Sequence, residues 1–220
     1  MHLSNRLTLC AALLAAAAGS TAQAHVLWGN EHEARAKALA TAYGEKSSAV
    51  PADRKAIVSA DKTLTIWGHG GQTSFSEMTD AQAFELIKNW KAKNSGLETV
   101  EFVTCDARHA QNRDLDAFAA RVKALMAADS VTRGVKLKGL PIGQHPDDVS
   151  ILWANGGSAT FLYITAPDQK TFDAANAIVK ADTTGDLATL GNNMAKDSKR
   201  KYTVNYGAIK ILRASLGEVR

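Results

Sequence analysis

Leu64-Thr65-Ile66-Trp67-Gly68-His69-Gly70-Gly71 joins a buried-type strand to a glycine turn that carries one chemically capable side chain. A short apolar and β-branched run, closed by glycines, suits a strand covered on both faces. Downstream, Thr99-Val100-Glu101-Phe102-Val103-Thr104-Cys105 repeats the design, with a thiol where the first segment has an imidazole. Between them, Thr79 followed by Gln82 forms a capping-box pattern. Phe84, Ile87 and Trp90 then give one apolar face of a helix expected to end near Gly96. Strand, helix and strand make a β-α-β unit. Its crossover is right-handed, and sequential strands usually lie side by side. The expected fold is α/β with a largely parallel sheet.

Working outward, Val26–Gly29 reads as a further short strand. Asn30 with Glu33 is a capping pattern for a helix that should run to about Tyr43 and stop at Gly44. A polar connection through Pro51 follows. On the other side, Leu115, Phe118, Ala119, Val122, Leu125 and Met126 fall at helical spacing, so Asp114–Ala128 is expected as an amphipathic helix. Gly134–Leu140 is expected as a strand. Ser150–Ala154 and Ala159–Thr165 flank Asn155-Gly156-Gly157-Ser158, a hairpin signal. A helix from Asp168 to about Ala181 and a last strand within Tyr202–Leu212 complete the reading. No linker composition or repeat divides the chain, so residues 25–220 are expected to form one domain.

Residues 1–24 stand apart. Met1–Arg6 is short and basic, Leu7–Gly19 is apolar and small, and Thr21-Ala22-Gln23-Ala24 ends in a small-x-small pattern. That is the layout of a secretory signal peptide, and it implies a periplasmic or secreted protein with no membrane association after cleavage. Cys10 belongs to that segment. Of the two cysteines, only Cys105 then remains. Exported proteins tend to hold cysteines in pairs, so a single one is either inert and buried or reactive. The net charge of +4 permits an acidic partner without requiring one. No basic stripe interleaved with aromatics indicates nucleic acid, and Gly68-His69-Gly70-Gly71 lacks the spacing of a phosphate-binding loop.

The chemistry rests on His69 and Cys105. Ligands of open α/β sheets bind at the carboxyl edge of the strands, and neighbouring strands are about 4.8 Å apart. An unperturbed thiol, with a pKa of about 8.5, is only partly ionised at neutral pH. An adjacent imidazole can take its proton and return it to a leaving amine. The backbone N–H groups of Gly70 and Cys105, with Gly71 beside them, are candidates for holding a tetrahedral oxyanion.

At Leu64–Gly70 and Val100–Cys105 the sequence resembles the caspase-like superfamily of cysteine peptidases. The flavour is closest to the self-processing cysteine protease domains of large bacterial toxins. The resemblance covers roughly Leu64–Arg108, and Thr104 stands where many relatives have Ala or Gly. It implies a three-layer α/β/α sandwich around a mostly parallel sheet of about six strands, a Cys-His dyad and a thioester intermediate. Peptide or protein substrates would be cleaved after a preferred residue, without a cofactor. Asp106, Asp147 and Asp148 are candidate carboxylates for reading a basic substrate side chain, with solvated loops as the alternative. The toxin-type relatives respond to inositol hexakisphosphate through a basic surface. Here Lys196, Lys199, Arg200 and Lys201 form a basic run that would serve a polyanion activator or be a solvated face.

Two other readings compete. A caspase-like fold without activity would be a binding module. Alternatively, cleavage after Ala24 would make His25 the N-terminal residue, whose amine and imidazole could chelate copper with His32 as a further ligand. His109 and His145 have no partners at recognisable spacing.

Overall fold

The structure, a computed structural model, describes residues 24–29, 31–70, 74–76, 78–104, 118–140 and 148–219. Strand β1 (Ala24–Trp28) leads into α1 (Glu33–Tyr43), β2 (Lys46–Ala49) and β3 (Thr63–Trp67). A two-residue hairpin, β4 (Ser74–Phe75) with β5 (Met78–Thr79), opens α2 (Asp80–Lys93). Then follow β6 (Thr99–Val103), α3 (Phe118–Ala128) and β7 (Lys136–Gly139). The second half holds β8 (Val149–Asn155), β9 (Thr160–Ala166), α4 (Gln169–Ala181), α5 (Leu187–Lys196) and β10 (Thr203–Ala208). A 3₁₀ segment, Ile209–Ser215, and a short β11 (Gly217–Glu218) end the chain.

Six strands form one sheet in the order β2-β1-β3-β6-β7-β11, and every pairing is parallel except that of β11 with β7. The α/β class and the mostly parallel six-strand sheet are therefore as the sequence led one to expect. Strand alternation sends Leu27, Leu64, Ile66, Val100 and Phe102 to one face, where they pack against Leu86, Ile87 and Trp90 of α2 and Phe118 and Val122 of α3. Phe75, Phe102 and Phe118 form an aromatic cluster there, with ring centroids 5.1 to 6.0 Å apart. Each such fully buried side chain contributes about 1.5–3 kcal/mol.

The opposite face carries Val26, Trp67 and Val103. Leu39 of α1, Ile209 and Leu212 of the 3₁₀ segment, and Leu152 and Phe161 of β8 and β9 cover them. Those two strands belong to a separate antiparallel sheet, β10-β9-β8. The far side of that sheet buries Leu162 and Ile164 under α4 and α5. A second sheet thus stands against part of one face of the first.

Local signals explain most boundaries. Gln82 N–H donates to Thr79 Oγ1 while Thr79 N–H donates to Gln82 Oε1, so the capping box at α2 forms. Asp168 caps α4 by accepting from Thr171 N–H at 2.8 Å. Gly44 closes α1 in the left-handed region, φ 67°. The start of α1 differs from expectation: its N-cap is His32, without a side-chain cap bond, and Asn30 lies outside the described residues. Helix α2 also stops earlier than Gly96. Asn94 ends it by donating its side-chain amide to Trp90 O and Ile57 O, both at 3.0 Å, a local bond that competes with the helix. Of the expected helix Asp114–Ala128, residues 118–128 are described and helical; 114–117 lie outside the described residues.

His25 sits within β1 at 2 % exposure. Its Nε2 is 2.9 Å from Ser48 Oγ, its Nδ1 is 3.8 Å from Asp61 Oδ2, and its ring lies 5.3 Å from that of Trp90. Burial holds its pKa below the ordinary value of 6.5; the Asp61 charge opposes this and Lys46 reinforces it. The imidazole is therefore neutral in the fold at pH values where the unfolded chain already binds a proton. Stability should fall as pH drops below about 6.5. Denaturant unfolding at neutral pH and near pH 5 checks this. The natural chain should lose more stability on acidification than His25→Asn, and equal losses would remove His25 as the cause.

Candidate functional site at the carboxyl edge

Strands β3 and β6 are adjacent, parallel and in register, with Trp67 opposite Val103. Gly68 N–H donates to Val103 O at 3.3 Å, which extends the pairing one residue past the strand ends. His69 follows at once and is exposed. Its carbonyl accepts from Ser76 N–H at 2.7 Å, and Gly70 bridges Phe75, so the β4–β5 hairpin fixes the backbone of the His69 turn.

The glycines at the ends of β1 and β3 have a steric reason. A Cβ on Gly29 would come within 2.4 Å of Ser76 Cβ, and one on Gly68 within 1.7 Å of Ser76 Oγ. The Ser76 side chain is wedged between the two strand ends.

The His69 ring stands perpendicular to that of His32, with centroids 4.3 Å apart. His32 is 4 % exposed. Both line a cavity of about 190 Å³ together with Arg35, Thr104, Leu152 and Trp153. Its walls come from the β1–α1 turn, the ends of β3 and β6, and strand β8 of the second sheet. An imidazole at the mouth of such a cavity can move a proton to or from a group held inside it.

Of the residues singled out from the sequence, His69 and Gly70 are at this edge. Thr104 brings the chain to the cavity wall one residue before Cys105. Cys105, Asp106, Gly71 and Asp147 lie outside the described residues. Asp148 is 4 % exposed, immediately before β8, and is not among the described residues that line this cavity. Lys199, Arg200 and Lys201 line a separate open cleft with Lys170, where Asp168 and Asp197 supply opposing charge.

The copper arrangement of His25 with His32 meets a geometric obstacle. His25 is near the amino end of β1 and hydrogen-bonded to Ser48, whereas His32 lies past its carboxyl end, against His69. Among the described residues no group of three or more His, Cys, Asp or Glu is arranged to hold a metal ion. Nor is any described helix long and apolar enough to cross a membrane.

His32 and Trp153 are the site residues that the sequence did not announce as such. Both are brought in by tertiary packing, from a helix start and from a second sheet.

Fold and site together define an α/β protein with a histidine-lined cavity at the carboxyl edge of a mostly parallel sheet. Comparison with protein-family models, with curated proteins and with solved structures finds no match for this chain.

Proposed function

We propose that this chain is an exported cysteine peptidase of the caspase-like kind, acting through a Cys105–His69 dyad in the periplasm or outside the cell. The observation that carries the reading is the register of β3 and β6. It sends the chain into His69 and into Thr104, the residue before Cys105 in the sequence, from neighbouring strands at one sheet edge. The three-layer α/β/α core of the resemblance is part of the same proposal. In it α2 and α3 cover one face and α1 the other, with the antiparallel sheet and α4–α5 added beyond.

In the proposed reaction His69 removes the thiol proton, and the sulfur attacks the carbonyl carbon of the scissile bond. Backbone N–H groups of Gly70 and Cys105 hold the oxyanion. The imidazolium gives its proton to the leaving amine as the C–N bond breaks, leaving a thioester on Cys105. A water, deprotonated by the same imidazole, hydrolyses the thioester and restores the thiol.

Incubating the protein with a mixed peptide library and reading the new termini by mass spectrometry tests this. Cleavage after a preferred residue is expected, and it should vanish in Cys105→Ala. A silent library, or cleavage that survives the substitution, would remove the reading.

A further inference from the structure

A second, larger cavity of about 900 Å³ opens on the other side of Ser76, between the carboxyl ends of β1 and β2 and the start of α1. From β1 the chain runs out to β2 and then returns across to β3. The order therefore reverses between β1 and β3, on the side that His32 and His69 line; this cavity lies on the other side of β1, at the same carboxyl edge where open α/β sheets hold ligands. The volume falls in the range of small-molecule sites.

The wall of this cavity concentrates unusual backbone. Among the described residues, the non-glycine positions with left-handed φ are Glu31 (44°), Arg54 (57°), Ser76 (44°) and Ala159. The first three all line this cavity. Such conformations carry strain, and they gather where a site holds them in place.

The same wall also carries two unsatisfied polar atoms. Arg54 Nε and Ser76 Oγ are both buried without a hydrogen-bond partner. Arg54 Nη1 is anchored to the carbonyls of Pro51 and Ala52, at 3.1 and 2.9 Å. Its neighbour Asp53 is engaged by Lys55 at 3.0 Å. A buried guanidinium N–H without an acceptor is costly, and a ligand oxygen that accepts from it offsets that cost. Lys37 does not compete for this role, because it pairs with Glu33 and lies 5.5 Å over the Trp28 ring. Glu31 stands on the same wall and repels a second negative charge. Trp28, Val50 and Met78 supply an apolar lining.

We infer that this cavity is a binding site for an amphipathic monocarboxylate, an apolar body bearing one carboxylate that pairs with Arg54 and takes a hydrogen bond from Ser76. The carboxylate belongs either to a small free acid or to the C-terminus of a peptide. The site is separate from the His69 cavity and does not depend on the peptidase reading.

Calorimetric titration with N-acetyl-leucine, with its uncharged amide, with an N-acetylated pentapeptide ending in leucine, and with inorganic phosphate tests the inference. Each titration is run on the natural chain and on Cys105→Ala, so that failure of the thiol reading and failure of this one stay distinguishable. The acids should bind and the amide and phosphate should not; the tighter of the two acids identifies the source. Arg54→Gln should weaken the acid by about ten- to a hundredfold. Ser76→Gly suits the left-handed backbone and guards against a folding defect; it should weaken the acid by a smaller factor. Binding of the amide or of phosphate as tight as that of the acids would overturn the inference. So would no heat with either acid at millimolar concentration, or undiminished binding in Arg54→Gln.

Discussion

Replacing His69 with alanine should cut peptide turnover by about 10⁴-fold or more, and Cys105→Ala should do at least as much. The two residues act as one unit, so the double variant should be no slower than the worse single one. The folding cost at His69 should be small, because the residue is exposed and its ring contact is with His32 at the rim of the sheet. A turnover loss with an unchanged unfolding midpoint is therefore the signature to look for. Rates measured across pH 5 to 9 add a second readout, since loss of the imidazole base should leave only the steep rise that follows thiol ionisation. A His69→Ala rate within about tenfold of the natural chain would detach that histidine from the chemistry.

The largest expected stability effect lies elsewhere, at Arg213. This side chain reaches from the 3₁₀ segment onto the sheet, where Nε donates to Glu101 Oε2 at 2.8 Å and Nη2 donates to Thr65 Oγ1 at 2.7 Å. Nη1 pairs with Glu45. Thr65 Oγ1 in turn donates to Glu101 Oε2 at 2.7 Å, and the guanidinium lies 4.6 Å over the Tyr43 ring. Burial works against the charge on Arg213, yet hydrogen bonds and the two carboxylates raise its pKa above the ordinary value. The carboxylate side chains of Glu45 and Glu101 are only 4 and 6 % exposed. Arg213→Met leaves both without their cation. Breaking a buried pair from one side costs about 3–5 kcal/mol, which in a domain of this size lowers the melting temperature by about 10 °C. Adding Glu101→Gln should restore part of the loss, because the amide does not need a counter-ion. A loss under about 1 kcal/mol in thermal or denaturant unfolding would mean that the cluster is solvated in solution.

The parallel core was readable because its signals are local. Leu64–Trp67 and Val100–Val103 are apolar enough for strands buried on both faces, and Thr79, Gly44 and Asp168 mark helix ends with side-chain or left-handed caps. The hairpin around Asn155-Gly156-Gly157-Ser158 was equally plain. Strand β2 was not, since Lys46-Ser47-Ser48-Ala49 is an edge strand held by backbone pairing to β1, with no apolar pattern to announce it. Helix α5 carries an amphipathic pattern in Leu187, Leu190, Gly191 and Met194, with Asp186 as its cap, but the pattern is short and adjoins a polar, lysine-rich stretch that obscures it. At the site, His69 could be singled out because a glycine turn follows its strand. His32 could not, because its closeness to His69 depends on β1 and β3 being neighbours. The buried state of Asp148 and the role of Arg213 likewise follow from contacts between distant segments. No pattern within one segment encodes them.

The most direct test of the dyad is the rate at which iodoacetamide alkylates Cys105 near neutral pH, compared between the natural chain and His69→Ala. An activated thiol should react faster than a free cysteine of ordinary pKa, and the substitution should slow it to that level. A rate that is ordinary from the outset, or indifferent to His69, would contradict the dyad and leave an α/β binding protein in its place.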